Sequence, residues 1–180
     1  MTEDERIGYD EQSLEELLQQ TEDRPWQAKR GYGRIAIRID RDGRWYYRDS
    51  LIERPNMVQL FASLLRVDDD GGIVIDGPEQ ILRIQVDDAP FVAVDCAPLS
   101  DGSGYVFVTN LGDRVIAGPE HPLELRMAPD EHEQRLYLHV RDGMLALVHR
   151  NLFYHLVELA SEDSEGRLGI RSRGEFYPLG

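Results

Sequence analysis

Arg34-Ile35-Ala36-Ile37-Arg38-Ile39-Asp40-Arg41-Asp42-Gly43-Arg44-Trp45-Tyr46-Tyr47 is the stretch whose reading decides the fold class. Ile35, Ile37 and Ile39 alternate with Ala36, Arg38 and Asp40, a period of two that turns one face to a core and the other to water, as in a half-buried strand. Asp42-Gly43 tolerates the positive backbone dihedrals of a tight hairpin turn, and Trp45-Tyr46-Tyr47 supplies the returning strand. Past Arg54-Pro55, where proline suits a first helical turn, Met57, Leu60, Phe61, Leu64 and Leu65 share one helix face. Asp68-Asp69-Asp70-Gly71-Gly72 ends that helix, and Ile73-Val74-Ile75 opens another strand.

Further strands are predicted near 81–86, 91–97, 105–109, 114–117, 123–126, 136–140 and 144–148, punctuated by turn chemistry such as Asp87-Asp88-Ala89-Pro90 and Asp101-Gly102-Ser103-Gly104. An amphipathic helix then runs from Asn151 to Ala160 with Leu152, Phe153, Leu156, Val157 and Ala160 on one face, and two short strands surround Ile170 and Phe176. Seven strands closed by a helix is the element order of a pleckstrin-homology-like barrel. The expected fold is α+β: two related domains with antiparallel sheets, each packed by one main helix, the C-terminal one a pleckstrin-homology-like barrel. The boundaries read as an acidic extension over 1–24, an α+β domain over 25–79 and the barrel over 80–180. Within the extension, Ser13 and Glu16 make a capping-box pattern ahead of Leu17 and Leu18.

The layout repeats. Strand, Asp-Gly turn, strand, helix, acidic glycine turn and strand occur over Ile35 to Ile75 and again over Leu136 to Ile170, and Asn56 to Gly71 spans the same 15 positions as Asn151 to Gly166. The connection from turn to helix is longer in the first copy. Chance agreement and duplication both account for so common a set of signals.

A formal net charge of -14 repels nucleic-acid phosphates and anionic membrane surfaces, so neither a nucleic-acid polymer nor a membrane is an expected partner. The single Cys96 permits no internal disulfide, no apolar run approaches the length of a membrane span, and the opening residues lack a secretory pattern; a cytoplasmic location is the expectation. Lys29 is the one lysine, and an arginine-biased chain retains two-point recognition of carboxylates and phosphates.

The runs Asp42-Gly43-Arg44-Trp45-Tyr46-Tyr47, Leu60-Phe61-Ala62-Ser63-Leu64-Leu65, Asp88-Ala89-Pro90-Phe91-Val92-Ala93-Val94, Ala117-Gly118-Pro119-Glu120-His121-Pro122-Leu123 and Phe176-Tyr177-Pro178-Leu179-Gly180, in this order, resemble a bacterial family known as a domain of unknown function and numbered twelve eighty-five. The likeness covers about residue 30 to the end. It implies a duplicated core of two domains, a pleckstrin-homology-like C-terminal part, and a groove between domains holding a nucleotide-like ligand in signalling. The chain departs from the family pattern at Gly77-Pro78-Glu79-Gln80, where that pattern has Thr-Pro-x-Glu.

Candidate ligand-binding residues carry competing readings. Trp45, with Tyr46 and Tyr47, offers rings for stacking a base, or core packing. Arg54, Arg141 and Arg150 stand beside turns and helix starts, as an anion cradle or as surface ion pairs. His121, in a Gly-Pro loop, and His139, in a strand, are candidates for ligand hydrogen bonds or acid-base work, or structural groups. Asp88, Phe91 and Asn110 sit at strand mouths, where polar turn groups line one end of a barrel or satisfy the turn itself. No histidine or cysteine spacing indicates a metal site, and no cofactor is implied. Ser103 lacks a nucleophile elbow and Gly31-Tyr32-Gly33 precedes its strand, so catalytic and dinucleotide motifs are both missing. These features predict a noncatalytic protein binding a small anionic, nucleotide-type ligand at the domain interface. A protein-interaction or adaptor module is the alternative, and a hydrolase or transferase using His121 or His139 the third reading.

Overall fold

Ile35, Ile37 and Ile39 are buried at alternate positions of β1 (Tyr32–Ile39), as their spacing requires. The computed structural model describes residues 32–78, 80–130 and 132–180; the extension over 1–24 and its capping-box segment lie outside them. Two units are distinguished, one holding the described residues to Asp40 with Arg44–Val86, the other Arg41–Gly43 with Asp87–Gly180.

The first unit continues with β2 (Trp45–Tyr47), β3 (Ser50–Leu51), α1 (Pro55–Ser63), β4 (Leu65–Val67), β5 (Ile73–Asp76) and β6 (Ile81–Val86) in one sheet of order β3-β2-β1-β6-β5-β4. Trp45 lies across from Ile39, on the buried face, and its ring stacks on Phe61 of α1 with centroids 6.3 Å apart. Pro55 opens α1 with its ring-fixed dihedral, and Met57, Phe61 and Ala62 supply its buried side.

The second unit has β7 (Phe91–Pro98), β8 (Tyr105–Thr109), β9 (Arg114–Ile116), β10 (Leu123–Met127), β11 (Gln134–Arg141) and β12 (Met144–Val148) in a sheet of order β10-β11-β12-β7-β8-β9. It then has α2 (Arg150–Leu159) and a three-stranded sheet of β13 (Ser161–Glu162), β14 (Leu168–Ser172) and β15 (Glu175–Pro178). The helix lies against β7 and β14. Leu152 and Leu156 form its buried side, whereas Val157, expected to join them, is exposed.

The protein is therefore mostly β, two sheet-rich units with two helices among the described residues. Two expectations need correction. Ile81–Val86 pairs antiparallel with β5 and parallel with β1, so six strands, not seven, precede α2 in the second unit, and the division falls after Val86 rather than at residue 79. Nor are the six-stranded sheets purely antiparallel, since β1–β6 and β12–β7 are parallel. Local alternation marks a strand but not its partner, and parallel partners are distant in sequence. Among the described residues no helix is long and apolar enough to cross a membrane.

Duplication is written into the register. α1 and α2 begin 95 residues apart, at Pro55 and Arg150. The same offset relates Asp68 to Asp163 and Gly71 to Gly166 in turns that carry matching hydrogen bonds, both glycines having φ near +78°, where a side chain is disfavoured. It also relates the pairs Val74–Arg83 and Gly169–Pro178 of the following strands.

Candidate functional site

β12 delivers the chain to the start of α2, where His149 caps the helix by accepting a hydrogen bond from the Asn151 amide. Arg150, Phe153 and Tyr154 follow at helical spacings of three and four, which set them side by side. With Arg41, Arg135 and His149 they line a cavity of about 620 Å³ in the second unit, whose apolar wall includes Val92, Leu147 and Leu179.

The charges in this cavity are not equivalent. Arg135 binds Asp88 at 2.6 Å and both Asp130 and Glu133 at 2.8 Å, and Arg41 also reaches Asp130, at 2.9 Å. Burial disfavours the Arg135 cation, but its hydrogen bonds to Glu133, Asp88 and Asp130 prevail and raise its pKa. Burial likewise opposes ionisation of Asp130, and the Arg135 hydrogen bond outweighs it, holding this carboxyl below its ordinary value. Arg150 differs. Its Nε donates to the Tyr154 hydroxyl at 3.1 Å, and among the described residues it makes no ion pair.

Of the residues singled out from sequence, Arg150 alone lines this cavity. Trp45 is buried in the first unit's core, so its face is covered by Phe61 rather than offered for stacking. Arg54 is exposed at the N-cap of α1 without a side-chain cap bond. Asp88 is a buried anchor, accepting from Arg135 and from the Tyr137 hydroxyl at 2.7 Å; burial, then this bond, raises the Tyr137 pKa. Phe91 is fully buried beneath the Arg141 guanidinium, 5.4 Å from its ring centre. Asn110 bridges the Val92 amide, at 3.0 Å, and the Gly43 carbonyl, at 3.1 Å.

His121 and His139 adjoin each other elsewhere in this unit. His121 Nδ1 lies 3.2 Å from the His139 carbonyl, which only accepts, so Nδ1 carries the proton. His139 Nε2 contacts Glu124, itself paired with Arg126 at 2.6 Å. Burial works against the Glu124 charge, yet Arg126 and His139 together keep its pKa lowered.

Sequence reasoning missed Arg41, Arg135, His149 and Tyr154. One local signal was available: Arg150 and Tyr154 stand four apart on a predicted helix, the spacing of a side-chain pair. Arg41 and Arg135 reach the cavity through tertiary structure that no local pattern reports.

Comparison with known proteins assigns the lineage. Residues 24–89 match the N-terminal domain, and residues 90–179 the C-terminal domain, of a protein of unknown function, DUF1285. The crystal structure of a DUF1285 family protein from Silicibacter pomeroyi DSS-3 is 35% identical, with a TM-score of 0.79 over 92% of this chain and 93% of that one. A second, from Shewanella baltica OS155, shares the fold at 24% identity and a TM-score of 0.54, over 69% of this chain and 91% of its own. No curated protein matches the chain. With both domain matches in order across 24–179 and a structural relative aligned over nearly its whole length, the chain belongs to the DUF1285 family.

Proposed function

We propose that this protein is a noncatalytic sensor or adaptor that binds a small anionic, nucleotide-type ligand in the cavity of its second unit, in a signalling role. One observation carries the reading: Arg150, which makes no ion pair among the described residues, stands beside Phe153 and Tyr154 in a cavity of about 620 Å³. That volume suits a small molecule. A guanidinium recognises phosphate or carboxylate oxygens, and the rings offer a face to a planar base. The histidines support a noncatalytic reading, since His121 Nδ1 and His139 Nε2 both face intramolecular partners. The reading extends to the fold: a strand-rich sheet closed by an amphipathic helix supports a pleckstrin-homology-like relationship for the second unit.

Thermal shift against mono-, di- and cyclic nucleotides tests this. A ligand at 100 times its Kd stabilises the native state by about 2.7 kcal/mol, and Arg150→Ala is expected to abolish the shift while leaving the unliganded Tm in place. Silence from every nucleotide at saturating concentration ends the reading.

The adaptor alternative draws on the exposed Tyr154, Val157 and Leu159 of α2. Pulldown of one stable partner, lost when residues 1–24 are deleted, would favour it.

A further inference from the structure

We infer that the cavity is built for a ligand with one small anionic head, so that nucleoside monophosphates bind in preference to di- and triphosphates; this rests on the nucleotide reading above. The inference comes from charge inventory. Three guanidiniums line the cavity, but Arg41 and Arg135 face Asp88, Asp130 and Glu133, two positive charges against three negative. Asp42 and Glu133 line the cavity themselves. Arg150 is left as the guanidinium that makes no ion pair among the described residues, Glu133 acting on it only at longer range. A phosphate monoester carries about -1.5 to -2 charges near neutral pH, so Arg150 offsets only part of even a single one. Each further phosphate extends a chain of charge into a cavity where the other guanidiniums are already matched and where Glu133, held by Arg135 at 2.8 Å, adds its own negative charge.

Two of the first four α2 amides are already taken, that of Asn151 by the His149 ring and that of Phe153 by the His149 carbonyl. Beside the polar Gln134 and His149, much of the remaining lining is apolar wall and rings, which favours a planar or apolar body over a second charged group.

Titration calorimetry on the full chain, in EDTA at one ionic strength, would compare the nucleosides and the 5′ mono-, di- and triphosphates of adenine, guanine, cytosine and uracil. The best-bound base is expected to show a monophosphate about tenfold tighter than its triphosphate, the scale of one added like-charge contact. Arg150→Ala should lower the monophosphate to the affinity of the nucleoside. Glu133→Gln should narrow the gap between mono- and triphosphate, an effect that a purely structural role for Glu133 would not produce. Affinity equal across the series, or rising with phosphate number, overturns this inference and leaves the nucleotide reading standing. No binding by any of these compounds overturns both.

Discussion

The helix and three strands over 55–83 and their copy over 150–178 show which parts of a duplicated motif are held and which are released. The held positions are structural. Met57 and Phe61 in the first copy, Leu152 and Leu156 in the second, occupy the same two buried sites on their helices. The released positions lie at the ends of the motif. Arg54, Pro55, Val58 and Gln59 at the start of α1 correspond to His149, Arg150, Phe153 and Tyr154, the four that line the cavity. At the other end, β6 joins the first unit's main sheet through parallel pairing with β1, whereas its counterpart β15 stays in a separate three-stranded sheet. A repeated core tolerates change where it meets its surroundings, and the cavity stands on one of those free ends.

The strongest way to break this equivalence is to empty the shared site. Phe61→Ala and Leu156→Ala each remove a side chain no more than 3% exposed, and such truncations cost about 2–5 kcal/mol through lost burial and the cavity left behind. Urea unfolding followed by circular dichroism is expected to show losses of that size for both. A loss below about 1 kcal/mol at either position would mean the two helices do not play the same part.

A smaller effect is expected where the copies attach differently. Lacking a main-sheet partner, the second copy is tied by Ser172, whose fully buried hydroxyl donates to the Ala117 carbonyl at 2.7 Å and accepts from the Tyr105 amide at 3.0 Å. The first copy has Gly77 at the equivalent place. Gly104 makes room for this tie, since a Cβ there would lie 2.2 Å from Ser172 Oγ. Ser172→Ala leaves two buried backbone groups short of a partner and should cost about 1–3 kcal/mol, read from the urea midpoint. An unchanged midpoint would show that packing and the Arg173 amide's bond to the Ser103 carbonyl hold the small sheet without this hydroxyl.

Much of this was legible from residues. The isoleucines of β1, the turn at Asp42-Gly43, the existence of the two helices and the 15-residue spacing from Asn to Gly follow from local pattern, because burial on one face imposes a period and a left-handed turn selects glycine; the end of α1 did not, since it stops at Ser63 and Leu65, read onto its face, already belongs to β4 ahead of the acidic turn. What was not legible was pairing across distance. Ile81–Val86 reads as a strand by its own alternation, but its place beside β1 is decided by residues more than forty positions earlier. The same holds for the site: Asp88 looks like a turn acid until Arg135 and Tyr137 arrive from β11 to bury it. Trp45 shows the opposite case, an aromatic whose strand period pointed inward and whose stacking partner is Phe61.

The subtlest contrast lies in the two acidic turns. Asp68 accepts from the amides of Asp70 and Gly72, and Asp163 from those of Glu165 and Arg167. Their cations come from different places. Arg83 reaches Asp68 from β6 and passes so close to Gly72 that a Cβ there would lie 2.9 Å from its Cζ, while the second copy carries Arg167 at that very position, its Nε 2.8 Å from Asp163. The Tyr32 hydroxyl, then Arg83, hold the Asp68 carboxyl far below its usual range; the Arg167 amide, then its guanidinium, lower Asp163. A carboxyl with a depressed folded pKa adds stability that is complete above its unfolded value, about 3.9, and is lost as pH falls through the folded value. Below about pH 4 the natural protein should therefore lose stability faster than Asp68→Asn or Asp163→Asn, in which amide oxygens keep the turn bonds without titrating. The flattening should be greater for Asp68→Asn, and high salt should shrink both effects because Arg83 and Arg167 are solvent-accessible. Acid unfolding midpoints at two salt concentrations measure this. Parallel pH curves for the natural protein and Asp68→Asn would show that the distant Arg83 is no substitute for the local Arg167, and that the two turns are alike in backbone only.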